Sequence, residues 1–395
     1  MPWKVPAMSD VRFALCHAVR TAGDPVAAAA RAFAVSRKTA HKWLAVFDAL
    51  PDGDPARYAA TTLADRSRRP HASPGRTPDD VERQVLTVRD RHGWGPRKIH
   101  AFLRQQAQRD GLPPPTGLPS VRTLAAVLAR HGRVAPAPPA PAAPLQCFER
   151  PGPNQLWQVD HKGPVEVERR RVAPLTVIDD HARYCLAFRP CDDKTMATAF
   201  AILWDVFADA GLPDAILTDN AFNAAGAGGG LGLSWFDARL IRLGIDPVHG
   251  RPYHPQTQGK VERFHGTAVR EFLFTHARRD RRAHFDADVE RWRGVYNALR
   301  PHEALGDRPP VERWRPSDRP RPDAVPEPHY EPGQATRKIH ACGEVYFKGY
   351  ALLVGRGLAG DTVRLEERDG ELAIYYCHKR VRAIPASELR KDKIL

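Results

Sequence analysis

No run of eighteen apolar residues occurs anywhere in the 395-residue sequence, so no membrane-spanning helix is expected. Between Met1 and Leu15 no apolar run follows the basic residue, and no secretory leader is expected either. Cysteine is scarce and scattered, at positions 16, 147, 185, 191, 342 and 377. No two of these form a CxxC pair, and none stands with histidines at zinc-finger spacing. Free thiols in a reducing compartment are expected, which places the protein in the cytoplasm. Acidic residues are the minority sign: 46 Asp and Glu against 60 Lys and Arg leave a net charge of +14. The excess is uneven, with 22 basic and 11 acidic residues in the first 146 positions. That bias suits a polyanionic partner, although charge alone fits a generally basic surface as well.

What is abundant is proline (37) and glycine (29), so several domains joined by linkers are expected. Residues 9–50 read as three short helices. Ala34-Val35-Ser36 makes a turn before the third, whose core face is Trp43, Val46 and Phe47. Arg37, Lys38, Thr39 and Lys42 are then exposed. This is helix-turn-helix grammar, with the third helix suited to the major groove; an ordinary small helical bundle has the same pattern. The first domain is placed at 1–65. Residues 66–77 form a basic linker in which Arg68 and Arg69 are candidate DNA contacts, or a solvated tether. Residues 78–133 repeat the three-helix pattern around the turn Gly93-Trp94-Gly95-Pro96. Residues 134–149 are a Val/Ala/Pro-rich spacer.

From 150 to 282 strands and helices alternate. Strands are expected near 156–160, 172–179, 184–189, 214–218 and 245–248, and helices near 194–210, 234–243 and 257–275. The first three strands have no helix between them and should form an antiparallel meander; the later ones should be parallel. Residues 283–333 are a helical extension carrying Trp292, Tyr296 and Trp314, which suit a core better than base stacking, followed by a proline-rich linker. Residues 334–395 read as six short strands separated by glycine turns, and a small SH3-like β-barrel is expected. The fold class is multidomain: amino-terminal all-α helix-turn-helix units, a central α/β core and a carboxy-terminal β-barrel.

Three acids stand out within the core. Asp160 ends the apolar run Leu156-Trp157-Gln158-Val159, and Asp219 ends Ala215-Ile216-Leu217-Thr218. Each reads as a strand finishing on an aspartate, where open α/β sheets build their sites. The third lies in Tyr253-His254-Pro255-Gln256-Thr257-Gln258-Gly259-Lys260-Val261-Glu262-Arg263-Phe264-His265. Pro255 stops any helix before it, and Thr257 caps a new one. Val261, Phe264 and Ala268 make its apolar face. Glu262 lies on another face among Lys260, Arg263 and His265, at a helix start that favours a carboxylate or a phosphate. Alone, such a Lys-x-Glu-Arg is ordinary solvated helix surface. With two strand-end aspartates it can converge on divalent metal, since magnesium asks for a few hard oxygen ligands. Two such ions can clamp an in-line phosphoryl transfer.

The blocks Trp157-Gln158-Val159-Asp160, Leu217-Thr218-Asp219-Asn220 and His254 to Arg263 resemble the three catalytic blocks of DDE transposases. More narrowly, they resemble those of bacterial insertion sequences with a retroviral-integrase-type core. Tyr296-Asn297 and Arg300-Pro301-His302-Glu303-Ala304-Leu305 resemble the block that follows that core. The resemblance covers about residues 150 to 315. The spacing departs from it: 42 residues separate Asp219 from Glu262, more than is usual, with a glycine-rich stretch at 226–232. The zinc module of retroviral integrases is not evident.

The resemblance implies a ribonuclease-H-like core at 150–282 and an enzyme that cleaves element ends and joins their 3′-hydroxyls to target DNA. It implies Asp160, Asp219 and Glu262 as ligands of two Mg²⁺ or Mn²⁺ ions, with Asp160 bridging them. The expected partners are double-stranded DNA, as terminal repeats and as target, and further copies of the chain assembled on it. No membrane is involved, and the sequence specifies no helper protein. Arg37, Lys38, Lys42, Arg68, Arg69, His254, Lys260 and Arg263 are candidate DNA contacts. His161 and Asn220 are weaker candidates. Asp179 and Asp180 read as a turn, and a change at Asp180 is expected to cost little cleavage. The alternatives are a DNA-binding repressor or targeting subunit with a degenerate core, and a ribonuclease-H-like nuclease without strand transfer.

Overall fold

The computed structural model describes residues 7–51, 60–65, 76–110, 118–134, 149–219, 233–249 and 259–389. The chain forms two compact units, Met1–Arg76 and Thr77–Leu395. Arg68, Arg69, Asn220, the glycine-rich stretch and His254 lie outside the described residues.

The first unit holds α1 (Met8–Arg20), α2 (Val26–Ala32) and α3 (Arg37–Asp48). The Ser36 hydroxyl accepts a hydrogen bond from the Thr39 N–H at 3.1 Å, which satisfies an otherwise orphaned donor at the start of α3. Leu15, Cys16, Ala29, Ala40, Leu44 and Phe47 pack between the helices. Of the expected face of α3, Phe47 is buried, whereas Trp43 and Val46 are only half-buried. The Arg12 guanidinium lies 3.9 Å from the centre of the Trp43 ring, so a cation covers the indole that the core leaves open.

The second unit opens with α4 (Asp79–His92), α5 (Pro96–Arg109) and α6 (Val121–Arg130). Gly93 ends α4 at φ 68°, a conformation only glycine adopts cheaply, and Pro96 starts α5 where its missing N–H is not needed. Val85, Trp94, Ile99, Leu124, Val127 and Leu128 form the core of this part, with Val295 and Leu299 from far along the chain packed against it.

The sheet of the core contains β1 (Trp157–His161), β4 (Leu175–Asp179), β5 (Cys185–Arg189), β6 (Ala215–Thr218) and β7 (Asp246–His249). Its order is β5-β4-β1-β6-β7. β5, β4 and β1 are antiparallel, and β6 and β7 run parallel to β1, as the patterning predicts. The strand expected over 172–179 is broken. Ala173-Pro174 interrupts it, and the preceding residues form a separate hairpin of β2 (Val165–Val167) and β3 (Arg170–Val172). Proline has no N–H to give to a ladder, which explains the break.

Successive side chains of a strand point to opposite faces. Trp157 and Val159 of β1 therefore pack with Leu203 and Phe207 of α7 (Met196–Ala210) and Phe236 of α8 (Trp235–Arg242). Gln158 and Asp160 point the other way, towards α9 (Gly259–Ala268). Val261, Phe264 and Ala268 are buried, as the periodicity predicts. The helix does not continue regularly to 275, as was expected; Val269–Leu273 is a π-helical turn. α10 (Arg282–Ala298) follows. Its aromatics are structural: Tyr296 is buried 5.0 Å from the Phe264 ring, and Trp314, beyond the helix, stacks on Tyr184 at 4.1 Å.

The carboxy-terminal strands are β8 (Thr336–Lys338), β9 (Glu344–Phe347), β10 (Tyr350–Leu353), β11 (Thr362–Arg368), β12 (Glu371–Tyr376) and β13 (Lys379–Pro385). They form a four-stranded sheet, β13-β12-β11-β8, and a separate pair, β10-β9, rather than the closed barrel expected. Their shared core takes in Ala238 and Ile241 of α8, so this sheet is anchored to the central domain. Gly357 sits at the contact, where an added Cβ would lie 2.2 Å from the Ser234 carbonyl carbon. Backbone cannot retreat as a flexible side chain can. Gly357→Ala should therefore destabilise the unit by about 1–3 kcal/mol, read as a lower midpoint of denaturant unfolding. An unchanged midpoint would mean that the two parts separate freely.

Candidate active site

Asp160 lies near the end of the central strand β1, and Asp219 follows β6, its parallel neighbour. Glu262 stands in the first turn of α9, on the exposed side. The two aspartates arrive together because adjacent parallel strands end at the same edge of the sheet. Glu262 joins them because α9 packs over the face that Gln158 and Asp160 present. The consequence is electrostatic. Burial first, with the charges of Asp219 and Glu262 adding to it, pushes the Asp160 carboxyl up to about 6, against a hydrogen bond from the His161 backbone. Three carboxylates thus share one field. The donor set is all hard oxygen, which suits magnesium or manganese. Among the described residues no group of three His, Cys, Asp or Glu side chains closes into a ready-made metal cage. The charges of Asp219 and Glu262 both reach the Asp160 carboxyl.

His265 was read among the cations around Glu262, and this is corrected. It is buried four residues after Val261, on the inward side of α9. Its Nε2 is 2.8 Å from the Thr176 hydroxyl, and its Nδ1 is 3.8 Å from Asp160 Oδ2. Thr176 stands directly opposite Asp160 in the β1–β4 register. Burial, with Lys162 and His161 adding, pushes the imidazole down to about 4, so His265 is neutral at pH 7. The signal was available: a residue at i+4 from Val261 shares its helix face.

Lys260 also turns inward. Its ammonium makes an ion pair with the Asp180 carboxylate and a 3.2 Å hydrogen bond to the Asp180 carbonyl. Asp180 is in a turn, as expected, but it is wholly buried and also accepts hydrogen bonds from Arg150 N at 2.8 Å and Gln158 Nε2 at 2.9 Å. The expectation that a change there costs little does not survive a buried carboxylate with three donors. Asp179, likewise buried, accepts from the backbone of Asn154 and Ala182. His161 is half-buried beside the Ala173 carbonyl, 3.4 Å away, and burial lowers its pKa. Arg263 is exposed beside Glu262, and Arg37, Lys38 and Lys42 are exposed on α3 of the first unit.

Residues 150–255 and 243–310 match the integrase core domain family. An uncharacterized 39.2 kDa protein of insertion element IS476 from Xanthomonas euvesicatoria is 27% identical over 164 residues. That match takes in 40% of this chain and 44% of the insertion-element protein, less than half of either. Among solved structures, the simian T-cell lymphotropic virus intasome in complex with a PP2A regulatory subunit is 19% identical, covering 74% of this chain and 96% of that one at a TM-score of 0.36. The HTLV-2 integrase catalytic core domain in complex with magnesium is 15% identical, covering 41% and 97% at a TM-score of 0.31. Residues 150–310 thus match an integrase core domain, and over part of its length the chain is similar to a protein of an insertion element.

Proposed function

We propose that the chain is a DDE-type DNA transposase that cleaves the ends of its element and joins their 3′-hydroxyls to target DNA by phosphoryl transfer. The observation that carries this is the shared field of Asp160, Asp219 and Glu262 at the sheet edge. These carboxylates would hold two Mg²⁺ or Mn²⁺ ions. When bound, such ions activate an attacking oxygen and offset charge on the leaving one. The chain's own residues hold the acids in register. Neutral His265, hydrogen-bonded to Thr176 and 3.8 Å from Asp160 Oδ2, lies beside that carboxylate without competing as a cation. Exposed Arg263 is positioned to meet a phosphate near Glu262, and His254 belongs to the same stretch of chain.

Both three-helix parts are read as helix-turn-helix units that grip the terminal repeat, with Arg37, Lys38 and Lys42 of α3, and Arg68 and Arg69 after it, on phosphate or bases. Two ends must be joined, so the working form is a homo-oligomer on DNA, acting in the bacterial cytoplasm at the nucleoid. No helix among the described residues is long and apolar enough to cross a membrane.

The test is a strand-transfer assay of the full chain with candidate terminal inverted repeats and magnesium or manganese. Joined products with repeat ends and none with scrambled ends are expected. Cleavage without joining would leave a nuclease instead. In the same assay Lys38→Gln with Lys42→Gln should weaken repeat binding several-fold. Because each removes a phosphate contact, the slope of log affinity against log salt should become shallower by about 0.9 per contact. An unchanged slope would remove α3 from the DNA.

A further inference from the structure

Lys260 sits two residues before Glu262, in a stretch of basic residues at a helix start, where a phosphate contact is the obvious reading. Its surroundings are not those of a phosphate ligand. The side chain is 9% exposed, and its ammonium is paired with Asp180, which is 0% exposed. Gln158 completes the arrangement from β1. Its Nε2 donates to Asp180 Oδ1 at 2.9 Å, and its Oε1 accepts the Val261 N–H at 3.3 Å. Gln158 is two residues before Asp160 and on the same strand face; Val261 immediately precedes Glu262. The Val261 N–H belongs to the first turn of α9, whose amides have no partner within the helix. The interior thus contains a closed link, β1 through Gln158 to Asp180 to Lys260, and back through Val261 to Gln158.

We infer that Asp180, Gln158 and Lys260 form a buried brace that sets where the first turn of α9, and with it Glu262, stands relative to Asp160. The three are positioning residues, since none is placed to touch substrate itself. The inference rests on the reading of Asp160, Asp219 and Glu262 as metal ligands. A brace is needed because the three carboxylates repel one another, and Glu262 is the exposed member, on a helix end that, among the described residues, no strand holds by backbone pairing. A Lys–Asp pair buried in this way is strong only when both partners are present. Removing one leaves a bare charge in the interior.

The two readings of Lys260 separate in an experiment that does not depend on turnover. Manganese alone is titrated into the DNA-free full chain and followed by the paramagnetic resonance of the free ion; repeat-DNA affinity is measured separately against salt. For Lys260→Gln the brace predicts about tenfold or greater loss of manganese affinity, the scale seen when groups supporting metal ligands are altered. It predicts DNA affinity within about twofold and an unchanged salt slope, as no phosphate contact is lost. Because Lys260→Gln strands a buried carboxylate and can unfold the protein, the double variant Asp180→Asn with Lys260→Gln is measured beside it. A neutral amide pair can restore the link without the stranded charge, so the double variant should recover most of the manganese affinity and the melting temperature. Rescue of this kind is not expected of a phosphate ligand. Full manganese affinity in Lys260→Gln, or a salt slope shallower by about 0.9, would overturn the brace. So would a double variant that melts like the wild type yet binds manganese no better than the single one. A wild-type chain that binds no manganese would overturn the metal-site reading itself, and the brace with it.

Discussion

Asp160→Asn, Asp219→Asn and Glu262→Gln are each expected to lower end cleavage by roughly a thousandfold or more. Every tenfold in rate is about 1.4 kcal/mol of barrier, and each amide removes one negative charge from the place where divalent cations are proposed to bind. The substitutions keep side-chain shape, so the fold should persist. For Asp160→Asn there is reason to expect a small gain in stability. Asp160 is held up to about 6 by burial and by its acidic neighbours, so its ionised form is disfavoured in the folded state and an amide relieves that. A variant that is as stable as the wild type but inactive is the signature of a group kept for chemistry at the expense of the fold. Repeat binding should survive, because it is assigned to α3 and the other helical parts. Near-normal cleavage by any one of the three would remove that residue from the ligand set. Joint loss of binding and melting cooperativity would show misfolding instead, so the melt is recorded with the assay for each variant.

The parts of this architecture that were legible in the sequence are those written in local pattern. The strand-end positions of Asp160 and Asp219 follow from apolar runs that stop on an acid. The apolar face of α9 follows from the spacing of Val261, Phe264 and Ala268. The antiparallel-then-parallel order follows from where helices intervene. What was misjudged is what pairs across the chain. Lys260 and His265 look like surface cations in a charged stretch, and only their partners, Asp180 and Thr176, show that they face inward. Asp180 looks like turn punctuation, because nothing local announces that Gln158 and Lys260 will donate to it. Six carboxy-terminal strands were expected and six are present, the first of them shifted towards the amino terminus, at Thr336–Lys338. Their closure into a barrel was misjudged, since closure depends on edges meeting rather than on any strand's own sequence. The same holds for the second helical part. Its helices were patterned correctly, but its dependence on the core lies in contacts with residues about 170 to 210 positions away.

Two of those contacts meet at Glu271, and Glu271→Ala is expected to destabilise the fold by about 3–5 kcal/mol. Glu271 lies in the π-helical turn after α9 and is almost fully buried. Arg300, itself 6% exposed, forks onto it through Nε at 2.8 Å and Nη2 at 2.9 Å. From α5, Lys98 adds a bond at 2.9 Å and Trp94 Nε1 one at 3.2 Å. Burial works against the carboxylate, but Arg300 and Lys98 together hold it below its ordinary range. Lys98 is the weaker partner. Burial and the charge of Arg300 depress its pKa in spite of Glu271. Removing Glu271 therefore strands a buried guanidinium, whereas Lys98→Met removes a cation that was already disfavoured and should cost distinctly less. A folded-state pKa below the unfolded one means stability that is present above the unfolded value and lost as pH falls through the folded one. The penalty of Glu271→Ala relative to wild type should thus be full at pH 7 and shrink only well into the acid range. Urea unfolding followed by tryptophan emission reads both effects, since Trp94 loses its carboxylate partner and gains water when α5 lifts. If Glu271→Ala costs no more than Lys98→Met, the fork is not what joins the helical part to the core, and the apolar contacts of Val295 and Leu299 must do so.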